Sequence, residues 1–323
     1  MAKSAIALEG KTGRRISLKK MSHFGYWLNM LYRIFVYALL LDLIFVFLYP
    51  FLYMFVTSFM TDADLVDTTV KWVPRAFHYQ NYIIAFKYMN TLLGLRNSLI
   101  QTGLSVLGHI LSCSFIAYGL ARYKFPGRNI MFVIVLFSFI IPAQTIIVPL
   151  YMNYSRMGWM NSILPLIVPT FFGFGLRGGL FVFIFRQFYM GIPNELEEAA
   201  LIDGCGSFRT YLRIILPISR TSILVSAVLA MVWHWNDYFE PAVYITKPLQ
   251  FPLPKMLPGM YAQMKLVKEA FVRDPITGQL YPKILNEAVV MAGTVIVILP
   301  LLLAYLLLQR YFMQGIERTG IVE

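Results

Sequence analysis

Charged and polar side chains inside apolar stretches are the residues of this sequence that could bind a solute. Arg177 lies in an apolar run at 163–185. It stands nine residues before Arg186, so along a helix it would lie about 14 Å from that end. A charge at such a depth in a bilayer faces a helix-bundle interior or a wet cavity. Two interpretations stay open: the guanidinium binds hydroxyls or a carboxylate of a solute, or it forms a structural pair with Asp42 or with a partner chain.

A second polar run, Trp233-His-Trp-Asn-Asp237, lies in another apolar stretch. Aromatic faces stack on sugar rings, and Asn and Asp side chains bind hydroxyls, a mixture typical of ligand pockets. The alternative is an aromatic belt at the membrane interface, which is favoured for Trp233 and Trp235. The predicted solute pathway is Arg177, His234, Trp235, Asn236 and Asp237.

The pattern of nucleophiles and metal ligands does not indicate catalysis. Glu195, Glu197 and Glu198 crowd one short helix that has no pocket of its own, so they are not an acid/base pair. Cys113 and Cys205 lie far apart, and the four histidines show no metal-ligand spacing. No Gly-x-x-x-x-Gly-Lys-[Ser/Thr] phosphate loop occurs. We therefore expect no enzyme, no metal site and no cofactor bound by this chain.

The composition indicates lipid as the solvent of the elements that position these residues. Only 14% of the chain is charged, against about 25% in soluble domains, and 58% is hydrophobic. The net charge of +12 is explained by basic loops on one side of a membrane, so a nucleic-acid partner is not expected.

Six charge-poor windows are long enough to cross a bilayer as helices. They are Ile34–Phe59, Asn97–Ala121, Asn129–Tyr154, Ile163–Phe185, Thr221–Tyr244 and Glu287–Gln309. The first is longer than a signal-peptide core and lacks a cleavage site, so we interpret it as a retained signal anchor. The sequence predicts an all-α membrane protein.

The basic residues of the short connectors set the orientation of these windows. The connector Arg122–Arg128 holds three cations in seven residues, and the fourth-to-fifth connector also carries several. Cytoplasmic loops are enriched in Lys and Arg, so both termini are predicted to be cytoplasmic. The loops at 60–96 and 245–286 then face outward as caps.

The segment from Pro193 to Gly204 predicts a short helix on the cytoplasmic side. Asn194 is a good N-cap, and Glu197 three residues later completes a capping-box-like pair. Three glutamates crowd the positive end of the helix dipole, and Gly204 is a suitable stop in the left-handed conformation. An amphipathic helix between two spans has no lipid role of its own, so it is a surface that another protein can hold.

One pattern in this segment resembles the EAA loop of bacterial ABC importer permeases. Glu198-Ala-Ala-Leu-Ile-Asp-Gly204 is followed, after nine residues, by Ile214-Ile-Leu-Pro217, and every fixed position matches. The carbohydrate-importer branch, which includes the G subunit of maltose importers, is similar in further places: 121–128, 186–188, 192–193 and 235–237. The likeness runs from about residue 31 to the C-terminus. It departs at the longer basic N-terminal tail and at 262–284.

The resemblance implies a type I permease of six transmembrane helices with a cytoplasmic coupling helix. Its domains would be a basic tail at 1–30, a membrane domain at 31–314 containing the EAA loop at 187–220, and a short tail at 315–323. It implies a bacterial inner membrane location and four kinds of partner: membrane lipid, a second permease, two ATPases that bind ATP and Mg, and an extracytoplasmic sugar-binding protein. The coupling residues it implies are Glu198, Ala199, Ala200, Asp203, Gly204, Ile214, Leu216 and Pro217.

The function that follows is ATP-driven import of an oligosaccharide, with Arg177 favouring an acidic one. An importer of a non-sugar solute is the main alternative. A secondary transporter would need inverted repeats and coupling carboxylates at mid-membrane, and only Asp42 qualifies. A membrane enzyme would need a cluster of His, Asp or Arg at one interface, which the sequence lacks.

Overall fold

Helices make up nearly all the regular structure of the chain in the computed structural model. The structure describes residues 23–70, 72–266, 271–273, 280–282 and 285–319. Residues 1–22 of the predicted basic tail, part of the 262–284 departure and residues 320–323 lie outside the described residues. Residues up to Tyr53 form one compact unit, and residues from Met54 onward form another.

The helices are numbered in chain order. They are α1 (His23–Thr57), α2 (Asp62–Val66), α3 (Gln80–Tyr88), α4 (Thr91–Arg122), α5 (Arg128–Ile140), α6 (Ala143–Arg156), α7 (Leu164–Ile167), α8 (Gly178–Met190), α9 (Glu195–Ile202), α10 (Ser207–Thr210), α11 (Leu216–Ile218), α12 (Arg220–Asn236), α13 (Phe239–Tyr244), α14 (Leu253–Leu266) and α15 (Glu287–Thr319). Short 3-10 helices span Val168–Phe172 and Pro248–Gln250, and a π-helix spans Tyr211–Ile215. Strands β1 (Phe271–Arg273) and β2 (Leu280–Pro282) pair antiparallel, with Val272 opposite Tyr281.

Three helical stretches of the described residues are long and apolar enough to span a membrane unbroken. They are Trp27–Thr57, Thr91–Arg122 and Glu287–Gln309. Two bent pairs qualify if each is one span: α5 with α6, bent by 98°, and Ser207–Ile218 with α12, bent by 76°. The first bend falls at Pro142, because a residue before proline is pushed out of the helical region and Ile141 is extended (ψ 123°). The all-α membrane fold is confirmed, with up to five such spans among the described residues.

The fourth predicted window, 163–185, is not one continuous helix. The chain forms α7, then the 3-10 helix, and then turns before α8 begins at Gly178. The turn contains three residues of positive φ, Gly173 (71°), Gly175 (99°) and Arg177 (65°). Apolar composition predicted one span and does not report such backbone breaks, although the glycines around Arg177 allow a local one.

The fifth window also ends earlier than its composition suggested. Helix α12 stops at Asn236, and Asp237 adopts an extended conformation. The Asp237 Oδ1 accepts hydrogen bonds from the backbone N–H groups of Phe239 and Glu240, at 3.0 and 3.3 Å. This side chain therefore caps the start of α13, a separate helix within the predicted span.

Helix α4 is the central element of the second unit. It packs against α8, α12 and the 3-10 helix at 168–172. One apolar cluster forms around its C-terminal half: Cys113, Ala117, Tyr118, Leu120, Phe181, Val182, Phe185, Tyr189, Ile192, Tyr211, Ile215 and Ala230. A second cluster joins α3, α14 and α15: Ala85, Met89, Leu253, Met260, Leu285, Val289, Val290, Ala292 and Val297. Because both clusters include or adjoin α4, this helix connects the two ends of the bundle.

Candidate coupling helix and solute pathway

Helix α9 carries the EAA residues and ends as its sequence predicts. Gly204 follows the helix with φ +74°. The Cys205 N–H donates to Ala200 O at 2.9 Å, and the Gly204 N–H donates to Leu201 O at 3.0 Å. These bonds satisfy carbonyl groups that the helix end leaves free, as a left-handed glycine cap does. The chain therefore turns sharply from α9 into α10.

The N-terminal end of α9 differs from the prediction. Asn194 makes no side-chain cap hydrogen bond and has helical dihedral angles. Its Oδ1 accepts instead from Arg122 Nη1 at 2.6 Å. The Glu197 carboxylate lies 2.8 Å from Arg122 Nε rather than reaching back to the Asn194 backbone. The predicted capping box was wrong because a charged guanidinium, distant in sequence, binds both side chains more strongly than the backbone N–H groups do.

Arg122 is the last residue of α4 and the point where that helix meets the start of α9. Its Nη2 also donates to the carbonyl oxygen of Ile192 at 2.6 Å. The Arg122 side chain is only 7% exposed and that of Glu197 18%. Nε and Oε1 are close without good hydrogen-bond alignment, so the Arg122–Glu197 contact is an ion pair, while the other two are hydrogen bonds.

The apolar side chains of α9 point away from the protein. Leu196, Leu201 and Ile202 are exposed, Ile202 to 87%, and Phe208 on the following helix, α10, is also exposed. Of the α9 residues only Ala200 is buried. Exposed apolar groups on a helix between charged residues are typical of a protein-binding surface. The surface of Leu196, Leu201, Ile202 and Phe208 is called the α9 surface below.

The distal part of the EAA pattern lies after α10. Ile214 and Leu216 are half-buried and Pro217 is exposed. The chain is π-helical over Tyr211–Ile215, which ends two residues before Pro217. Proline has no N–H, so it removes one α-helical hydrogen bond from the preceding turn, and a widened turn there is consistent with that loss.

Arg177 lies at the start of α8, where the turn after the 3-10 helix ends. Its guanidinium stands over the Phe139 ring at 5.5 Å and over the Trp233 ring at 5.4 Å from the centroids. The side chain is nevertheless exposed. Stacking on two aromatic faces leaves the N–H edge of a guanidinium free to donate.

The structure does not gather the other predicted pathway residues around Arg177. His234 is buried, with its Nε2 3.1 Å from that of His109. The buried Trp235 donates from Nε1 to Val297 O at 3.1 Å. Asn236 is exposed and bonds Val232 O within its own helix, and Asp237 caps α13. Sequence reasoning grouped these residues by proximity along the chain, but successive residues of a helix point in different directions.

A polar stripe along α4 was missed. Its members recur every four residues on one helix face, the spacing that could have revealed them. They are Asn97, Gln101, Ser105 and His109. All four are buried, and both polar atoms of the Gln101 side chain lack a hydrogen-bond partner. The described residues contain no group of three or more His, Cys, Asp or Glu side chains that could hold a metal ion.

The comparison with protein families identifies the class of protein to which this chain belongs. Residues 109–318, which include α9 and the whole EAA pattern, match the family described as the binding-protein-dependent transport system inner membrane component. The chain belongs to this family. It is therefore a permease subunit of an importer, and its family is a class of transport proteins rather than of enzymes.

Relatives and a solved structure extend the comparison. The permease is 33% identical over 259 residues to a probable starch degradation products transport system permease of Thermoanaerobacterium thermosulfurigenes, covering 80% of this chain and 86% of that one. It is 26% identical to a polygalacturonan/rhamnogalacturonan transport system permease of Bacillus subtilis, covering 89% and 96%. A crystal structure of a bacterial ABC transporter that imports the acidic polysaccharide alginate matches with a TM-score of 0.73 at 22% identity. That match covers 88% of this chain and 97% of that one, and it shows the type I permease fold.

Proposed function

We propose that this permease forms half of the translocation pathway of an ATP-driven oligosaccharide importer. The second half is another permease, two ATPases bind ATP and Mg, and an extracytoplasmic binding protein delivers the sugar. Both termini are cytoplasmic. The observation that carries the carbohydrate proposal is the likeness to relatives named for starch products and for polygalacturonan over most of their length.

The coupling role of α9 is supported by its geometry. The α9 surface presents apolar side chains outward, beside the acidic first turn of Glu195, Glu197 and Glu198. A partner that encloses this helix would bury that surface and gain about 25 cal/mol for each Å² of apolar area. In the proposed mechanism the ATPases bind α9 at Glu198, Ala199, Asp203 and Gly204. When the two ATPases close on ATP, they displace the helix.

The solute is proposed to be acidic because of Arg177. Its planar guanidinium lies over the Phe139 and Trp233 rings, and the residue is exposed. A guanidinium binds a carboxylate through two parallel hydrogen bonds, and a lysine ammonium cannot reproduce that geometry. In surroundings of low polarity such charge-assisted bonds strengthen, which would favour a uronate over a neutral sugar.

The test compares Arg177→Lys and Arg177→Met in the assembled transporter. Both substitutions keep a non-glycine side chain at φ +65°, so they share the same backbone strain and differ only in the group they present. Uptake of an oligogalacturonate and of a maltooligosaccharide is measured and normalised to the amount of assembled complex. Arg156→Met, at the end of α6, serves as a matched control that removes a guanidinium elsewhere.

We expect Arg177→Lys to weaken uptake of the acidic glycan selectively and Arg177→Met to abolish it, with basal ATP hydrolysis unchanged. Equal loss for both sugars, tracking the amount of protein, would refute an acidic solute and leave Arg177 as a packing residue. Uptake of neither sugar by the unmodified complex would refute the carbohydrate proposal and favour a non-sugar solute.

A further inference from the structure

Arg122, at the end of α4, contacts the start of α9, which lies far away in the sequence. We propose that Arg122 is a positioning residue that locks the coupling helix α9 to α4, so that a displacement of α9 is delivered to α4. The inference rests on the proposed coupling role of α9. The contacts themselves belong to the permease and are independent of any partner.

The three acceptors of Arg122 surround the point where the chain enters α9. They are a carbonyl before the helix, at Ile192, the side chain of its flanking residue Asn194, and a carboxylate in its first turn, Glu197. Three contacts to different nitrogens of one planar group fix a direction as well as a distance. A lysine ammonium also has three donors, but they radiate from one nitrogen and cannot reproduce the spacing of the planar guanidinium, so α9 would be held less rigidly.

Burial makes this contact difficult to break. The Arg122 side chain is 7% exposed and that of Glu197 18%, so little water can reach either charge to solvate it if the ion pair breaks. Removing one partner of a shielded ion pair leaves the other charge uncompensated. The α9 dipole places positive charge near Arg122, and the acidic first turn of the helix offsets it.

A second contact holds the chain on the far side of α9. The Ser114 hydroxyl and the Tyr211 hydroxyl lie 2.7 Å apart, and the Tyr211 ring packs against Tyr118 with centroids 5.2 Å apart. Ser114 and Tyr118 belong to α4, and Tyr211 follows α10. The segment that contains α9 is therefore attached to α4 both before and after the helix.

Helix α4 in turn reaches α12 through the buried His109–His234 contact. A movement of α9 that carries α4 with it would therefore be passed to α12, which bears three of the predicted pathway residues, His234, Trp235 and Asn236. A loose α9 could be displaced by an ATPase while α4 stayed in place.

The experiment measures whether α9 moves as one body with α4. Spin labels are placed on the native Cys205, just beyond α9, and on Leu111→Cys, an exposed position of α4. Cys113 is fully buried. Label-to-label distances are recorded in the complete transporter without nucleotide and with ATP and vanadate. Variants are compared at equal yield of assembled complex.

We expect the unmodified transporter to give one narrow distance distribution that is the same in both states. Arg122→Met should broaden the distribution most, and Arg122→Lys should broaden it less. Glu197→Gln keeps an oxygen facing Arg122 but removes the compensating charge, so it should also broaden the distribution less than Arg122→Met does. Arg128→Met is the matched control, since it removes a cation from the same connector without contacting α9. Stimulation of ATP hydrolysis by the loaded binding protein should be lost in Arg122→Met while basal hydrolysis remains.

A distribution in Arg122→Met as narrow as in the unmodified transporter would overturn the proposal. So would equal broadening in Arg128→Met, because the effect would then come from charge on the connector. If Arg122→Met broadens the distribution but the loaded binding protein does not stimulate ATP hydrolysis in the unmodified complex, the lock between α4 and α9 is supported and the proposed coupling function fails.

Discussion

Gly204 offers the sharpest test of how α9 is built. Its φ of +74° lies in the left-handed region, where a side chain other than glycine is strained. A Cβ atom at this position would meet no heavy atom within 4 Å. The Cβ of Gly204→Val therefore meets no neighbour, and the main expected effect comes from the backbone.

The expected size of the effect follows from the backbone strain at position 204. Holding an L-residue in the left-handed region costs about 1–2 kcal/mol, and a β-branched side chain lies at the upper end. Since 1.4 kcal/mol is tenfold, the equilibrium ratio of ordered to disordered α9 ends should fall about five- to thirtyfold. If the ATPase binds only the ordered form, its Kd rises, by at most the same factor.

Gly206 supplies the control for this prediction. It lies two residues further on, also with no heavy atom within 4 Å of a built Cβ, but its φ is −71° and its ψ 160°. A valine fits that conformation without strain. Gly206→Val should therefore leave ATPase binding unchanged, and Gly204→Asn should cost less than Gly204→Val because asparagine tolerates the left-handed region.

The assay is a titration of the purified ATPase against the solubilised permease, with Kd measured for all three variants. The permease must first be shown to reach the membrane in equal amount. Similar Kd values for Gly204→Val and the unmodified chain would refute the reasoning, as would equal weakening by Gly206→Val.

Three further predictions concern packing, protonation and orientation. Gly179→Ala should lower the melting temperature of the solubilised complex, because its Cβ would lie 2.5 Å from Val135 O. Gly103→Ala, with open space around it, should not lower it. Equal melting temperatures for the two variants would contradict this prediction. Burial lowers the pKa of Lys255 to about 8, so its neutral amine appears as pH rises through about 8. Acylation of Lys255, followed by mass spectrometry, should reach half its maximum there rather than near the ordinary lysine pKa of about 10.4. Cys205 should react with an impermeant thiol reagent only from inside and a cysteine at position 78 from outside; labelling of Cys205 in intact cells would refute the topology.

Local signals in the sequence predicted much of the fold and of α9. The apolar windows gave the membrane class, and a glycine after an amphipathic run gave the left-handed end at Gly204. Both depend on residues close together in the chain, where composition and spacing carry the information. The positions of the helix breaks in the fourth and fifth windows were less accessible, because Gly173 and Asp237 act through backbone conformation rather than hydropathy.

Long-range contacts could not be predicted in the same way. Arg122 contributed to the orientation argument only as one cation among several, yet it replaces the expected cap of α9 through contacts 70 and 72 residues away. His109 and His234 are 125 residues apart and meet only once α4 and α12 pack. Such pairs depend on the tertiary arrangement, which periodicity within one helix does not specify.

Reconstitution in proteoliposomes, with either ATP or an ion gradient as the energy source, tests the central claim most directly. The permease, its partner permease and the ATPases are placed in proteoliposomes, with the loaded binding protein on the side opposite the ATPases. The account predicts that this protein stimulates ATP hydrolysis and that solute accumulates only when ATP is present. Solute accumulation driven by an ion gradient without ATP, and unaffected by the binding protein, would contradict it.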